Sequence, residues 1–114
     1  MKEQINYDEF LEIEKKLEIR YGTIIEVEKM ENSNKMLKLK VDFGEGDIRT
    51  VMTNIGNKLD RHTFLIGIQF PFITNLKPAK IMEVESTAMI MVCEDENGKI
   101  QLSSIGFKNG SKLL

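Results

Sequence analysis

Few side chains in this sequence could do covalent or metal chemistry. His62 is the one histidine and Cys93 the one cysteine, so neither a histidine cluster nor a CxxC pair can be assembled for zinc. A Ser-His-Asp triad would have to be built on His62. That residue lies between Arg61 and Thr63 in a polar stretch, no nucleophile-elbow motif is present, and it reads as a solvated loop histidine. Gly44-Glu45-Gly46 has Arg49 where a dinucleotide fingerprint needs its third glycine, so it reads as a hairpin turn. Cys93 ends an apolar run and reads as a buried structural thiol, with no partner for an internal disulfide. No catalytic residue, metal site or cofactor is expected, and function must rest on binding.

The residues that could bind are cations and soft apolar side chains. Lys38 and Lys40, two apart on an alternating segment, point the same way about 7 Å apart. That separation suits successive phosphates, and equally a solubilising strand edge. Lys35 lies in the loop before them. Lys77 and Lys80 flank Pro78, which stiffens their loop. Met89 and Met91 share a strand face and serve either as core fill or as an apolar patch for stacked bases or a partner.

These side chains need a scaffold, and the hydrophobic pattern supplies one. Asn6, with Glu9 three residues later, predicts a helix N-terminus, and Phe10, Ile13 and Leu17 fall on one helical face. From residue 17, Leu17, Ile19, Tyr21, Thr23, Ile25 and Val27 alternate with a second set that includes Gly22 and Ile24. This predicts a long half-buried strand with a bulge or bend at Gly22. Leu37, Leu39, Val41 and Phe43 alternate in the same way. Gly44–Asp47 then turns the chain into a strand over 48–52. Residues 54–61 read as a short helix or irregular connection, 64–73 as a buried strand and 75–80 as a cationic loop. Residues 88–93 read as a further strand, and Asn97-Gly98 as a type I′ hairpin leading to 100–102. Residues 106–114 form a partly extended tail. The expected fold is all-β: a five-stranded OB-fold barrel, core about 17–102, with a short N-terminal helix and dimerising extensions. An open α+β sandwich is the alternative.

The bulk numbers agree with one soluble domain. The chain has 114 residues, 41% hydrophobic and 30% charged. It shows no run long enough to span a bilayer and no signal peptide, and a cytoplasmic location is expected. Net charge is −2, unlike a general nucleic-acid sponge. The acid is uneven, however. Residues 1–18 carry six acids and three lysines, leaving 12 acids and 13 Lys/Arg in the other 96 residues. A local basic face on the body is compatible with that balance.

The segment Asn75-Leu-Lys-Pro-Ala-Lys-Ile-Met-Glu-Val-Glu-Ser-Thr-Ala-Met-Ile90 resembles the signature of the tRNA-binding domain family. In that family Asn-Leu-Lys-Pro-x-Lys precedes Val-Glu-Ser and then a methionine in an apolar strand. Leu17–Glu28 is similar to the family's opening strand. Asn32–Met36 and Leu39–Asp42 resemble its second loop and strand, and Tyr7–Phe10 its lead-in. The domain occurs at the ends of some methionyl-tRNA synthetases, in synthetase cofactors and as free-standing proteins. The resemblance implies an OB-fold, a homodimer, and recognition of tRNA by shape rather than sequence, which suits structured RNA. It also implies Lys35 as a phosphate contact, Ser86 as a hydroxyl donor, Met89 as an apolar contact, and Lys77, Lys80 and Asn32 as loop contributors. Lys38, Lys40, Arg49 and Asn54 flank the same face, while Asn75 and Glu85 brace the loop. Where the family commonly has Gly before Val-Glu-Ser, Glu83 stands. Thr87-Ala88 replaces Gln-Gly, and Glu31 replaces a proline before Asn32. Two of these changes place carboxylates beside the implied RNA face.

Two functions follow as expectations. One is a free-standing tRNA-binding protein, accessory to an aminoacyl-tRNA synthetase. The other is an export-related chaperone that binds unfolded polypeptide on the same dimer. An enzyme is not expected.

Overall fold

The computed structural model describes residues 1–102 and 106–114. Helix α1 spans Tyr7–Glu14, and the Asn6 side-chain oxygen accepts from the Glu9 N–H at 2.9 Å, as the cap spacing predicts. Phe10, Ile13 and Leu17 nevertheless remain exposed.

The strands are β1 (Ile19–Lys29), β2 (Leu37–Asp42), β3 (Ile48–Thr53), β4 (Gln69–Ile73), β5 (Ala79–Ile81), β6 (Val84–Ser86) and β7 (Met89–Ile90). Five form one antiparallel sheet in the order β3-β2-β1-β4-β7, while β5 and β6 pair as a separate hairpin. β1 is long enough to pair with β4 through its first half and with β2 through its second. That exchange of partners curls the sheet into an OB-like barrel. The two edges meet where the Thr87 N–H donates to the Thr50 carbonyl at 3.2 Å and the Met52 N–H to Ser86 Oγ at 3.0 Å.

The β2 alternation folds as read: Leu37, Leu39, Val41 and Phe43 all point inward and are at most 1% exposed. They pack with Ile24, Val51, Leu65, Phe70 and Phe72, and the Phe43 and Phe72 rings meet edge to face at 5.1 Å.

β1 departs from its simple period. The register slips between Ile24 and Glu26, so the bulge lies at Ile25 and not at Gly22. Ile24 is consequently fully buried and Ile25 is exposed, and Val27 regains the inner face. An extra residue inverts the side-chain alternation beyond it. Gly22 serves close approach instead, because a Cβ there would lie 2.7 Å from both Phe43 Cε1 and Val41 Cγ1.

Other elements are shorter than read. Residues 64–73 do not form one strand. His62–Leu65 is a 3₁₀ turn, and β4 begins only at Gln69. Gly67 (φ +84°) reverses the chain between them, leaving Phe64 and Ile66 exposed. Within 88–93 only Met89 and Ile90 join a ladder, and Cys93 is exposed rather than buried. The Asn97-Gly98 turn is not type I′, since Gly98 has positive φ and Asn97 does not. The Asp95 carboxylate accepts from the Asn97 and Lys99 N–H groups. These contacts wrap a longer loop, and the Lys99 N–H holds that carboxyl below its ordinary value of 3.8.

The C-terminal segment is tied to the sheet. The Tyr21 N–H donates to Ser111 O, Gly110 N–H to Tyr21 O, and Leu113 N–H to Ile19 O. Gln69 exchanges hydrogen bonds with both the N–H and the carbonyl of Phe107. Its amide also donates to Asn109 Oδ1, which accepts from Thr23 Oγ1 as well.

Candidate nucleic-acid interface

β2 and β3 pair so that Lys38 lies opposite Met52 and Lys40 opposite Thr50. The inward set of β2 is apolar, so the strand period sends Met36, Lys38 and Lys40 to the outer face. The β5–β6 hairpin stands beside that face. Its turn residues Met82 and Glu83 both have positive φ, 50° and 67°.

Two grooves result. One joins Lys38, Lys40, Arg49 and Thr50 with Glu83 and Glu85 of the hairpin. The other is apolar, lined by Met36, Met52, Asn54, Ile81, Met89 and Val92. The Gly56 N–H donates to the Lys35 carbonyl at 2.7 Å, which fixes the lysine-bearing loop against the segment that follows Asn54.

The cations differ in their freedom. Lys40 Nζ donates to Thr50 Oγ1 at 2.8 Å, Lys38 faces Glu28 at 3.7 Å, and Lys80 faces Glu83 at 3.5 Å. Arg49 is committed to Glu45 through Nε at 2.9 Å and Nη2 at 3.0 Å, and its Nη1 donates to the Thr74 carbonyl. Lys35 and Lys77 are exposed and have no ion-pair partner among the described residues.

Ser86 is buried, 6% exposed. Its Oγ accepts from Met52 N–H and donates to the Ala88 carbonyl at 3.3 Å, so the hydroxyl proton is already used inside the protein. Met89, by contrast, is 55% exposed at the mouth of the apolar groove. Asn32 is exposed in left-handed backbone, φ 62°, a conformation that asparagine tolerates better than most residues. Asn54 is exposed on the apolar groove.

Sequence spacing gave no sign of the clasp at the other end of the barrel. Arg20 and Arg49 both lie over the Phe43 ring, at 5.7 and 5.3 Å from its centroid, and both reach Glu45. The Arg49 hydrogen bond is the main reason the Glu45 carboxyl lies below its ordinary value of 4.5, against a smaller opposing effect of burial. Asn75, expected to brace its loop, does so through partners outside it: its Oδ1 accepts from Glu18 N–H at 2.9 Å and its Nδ2 donates to the Lys16 carbonyl at 2.6 Å. The segment between α1 and β1 is thereby pinned to the start of the cationic loop.

A curled five-stranded sheet with one strand face and its loops left open is the OB type of barrel. Residues 19–112 match the family described as "Putative tRNA binding domain", and the chain belongs to that family. The methionine–tRNA ligase of Flavobacterium psychrophilum is 40% identical over 99 residues, 87% of this chain and 14% of that one. The chain thus spans about a seventh of the length of the curated relatives it matches. Among solved structures, a MetRS-related protein from Pyrococcus horikoshii is similar at TM-score 0.78 and 33% identity, covering 99% of this chain and all of that one. The CsaA chaperone protein from Picrophilus torridus is similar at TM-score 0.76 and 25% identity, covering 97% and 100%.

Proposed function

We propose that this chain is a non-catalytic cytoplasmic module that binds folded tRNA through the loops that carry Lys35 and Lys77 and through the methionine-lined groove beside β3. The carrying observation is that groove. It gathers Met36, Met52 and Met89 with Asn54 beside the Lys35 loop, which offers apolar contact to splayed bases next to cations for phosphate. Lys35 and Lys77 act as the primary phosphate contacts, Met89 as the stacking surface, and Lys38, Lys40, Lys80 and Asn32 as secondary contributors. Ser86 acts by positioning β7 and not by touching RNA. Similarity to methionine–tRNA ligases and to a MetRS-related protein supports a synthetase as the protein served.

The working form is a homodimer. α1 and the C-terminal segment together present Phe10, Ile13, Leu17, Ile19 and Leu113 around one apolar groove, and a two-fold interface would bury it.

A second reading is favoured by the similarity to the CsaA chaperone protein: the methionine groove takes apolar segments of unfolded polypeptide, since Met-lined surfaces repack readily. Salt separates the two. Titrating labelled folded tRNA at about 50 and 200 mM salt should show affinity falling steeply as counterion release predicts. Binding of an unfolded polypeptide with no salt dependence, together with no binding of tRNA at low salt, would favour the chaperone.

A further inference from the structure

The strand face that would suit a phosphate backbone best is lined with acid from the same chain. Lys38 and Lys40 line one open groove with Glu83 and Glu85. Glu83 also faces Lys80, and Lys38 faces Glu28 on β1. Glu83 is held over this groove by a two-residue turn that puts Met82 and Glu83 in left-handed backbone. A turn of that kind favours Asn and Gly, so two bulky residues there are not explained by the turn alone.

We propose that Glu83 and Glu85 are specificity-determining residues, which screen the β2 lysines from regularly spaced phosphates. This inference rests on the tRNA reading of the same surface. A duplex or extended backbone laid along β2 must bring its phosphates against two carboxylates as well as two ammonium groups, and like charges repel at that range. A folded RNA that offers phosphates chiefly to Lys35 and Lys77, and bases to the methionine groove, meets the hairpin at Ile81 and not at its carboxylates, since Glu83 and Glu85 line the other groove. The carboxylates therefore lower binding to generic polyanions more than binding to a bent, looped RNA.

The test compares wild type, Glu83→Gln/Glu85→Gln and the control Glu3→Gln/Glu96→Gln, which changes charge equally elsewhere. Each is titrated with labelled folded tRNA and, separately, with a short DNA duplex at low salt. The hairpin variant should bind the duplex about three- to tenfold more tightly than wild type, with tRNA affinity changed less than twofold and the control unchanged on both. An equal gain on tRNA and duplex, or no gain on either while wild type binds tRNA, overturns the inference and leaves the tRNA reading standing. A hairpin variant that gains the duplex while no protein binds tRNA upholds the screening role and overturns the tRNA reading. If no protein binds either nucleic acid, both fall.

Discussion

The hydroxyl of Ser86 sits in the seam that joins β3 to the β6–β7 segment, accepting from Met52 N–H and donating to Ala88 O. Family resemblance points to this serine as important, but its burial assigns the importance to closure of the barrel. Ser86→Ala should leave a buried N–H without a partner and cost about 1–3 kcal/mol, read as a lower urea midpoint. The tRNA affinity of the folded fraction should stay within about twofold. Full stability with lost RNA binding would make the hydroxyl a direct contact. Glu45 is the second residue with a distinct signature. Its folded-state carboxyl is depressed chiefly by Arg49. It therefore adds stability above its ordinary value of 4.5, lost as pH falls through the depressed value. Glu45→Gln should destabilise at neutral pH, and its deficit relative to wild type should shrink as pH is lowered below about 4.5 in urea melts.

At the scale of elements, the sequence was legible where one period ran unbroken. β2 declared its inward face because four apolar residues alternate with polar ones and no bulge intervenes. β1 was legible as a strand but not in its facing, because Ile24 and Ile25 are equally apolar and only the pairing to β2 decides which is extra. Residues 64–73 looked continuous because Phe64, Ile66 and Ile68 carry the strand residue types, while the reversal depends on the positive φ of Gly67. Within the candidate site, Lys35, Asn54 and Met89 lie around the methionine groove. Arg49 belongs to a clasp that the strand pattern does not announce: Glu45 lies four residues before it in the turn after β2, but Thr74 and the Phe43 ring are brought to it by the fold. Gly22 carries a steric demand inside β1. Gly22→Ala would press a methyl group against Phe43 and Val41, and it should cost about 1–3 kcal/mol in denaturant melts. Unchanged stability would show that the β1–β2 corner can open without penalty.

For the whole molecule, the sheet is completed from the far end of the chain. Tyr21 and Ile19 of β1 pair with the 110–113 segment once β2 has diverged, and the Tyr21 and Phe107 rings meet at a tilt with centroids 4.8 Å apart. This places Leu113 beside Ile13 and Leu17 and makes one continuous apolar surface from the two ends. Sedimentation at micromolar concentration should give twice the chain mass, and Ile13→Glu should shift it to one chain mass while the barrel stays folded by circular dichroism. A single-chain mass for the wild-type protein would remove the dimer. No helix among the described residues is long and apolar enough to cross a membrane.

We propose that Lys35 and Lys77, exposed and with their ammonium groups in neither an ion pair nor a hydrogen bond among the described residues, bind the phosphates of folded tRNA. The most direct measurement is the affinity of Lys35→Ala/Lys77→Ala for labelled folded tRNA across a salt series, beside wild type. The complex of the double variant should be at least tenfold weaker at low salt, with a salt dependence shallower by roughly one to two in log–log slope. An unchanged affinity and slope, in a variant that melts like wild type, would contradict this assignment.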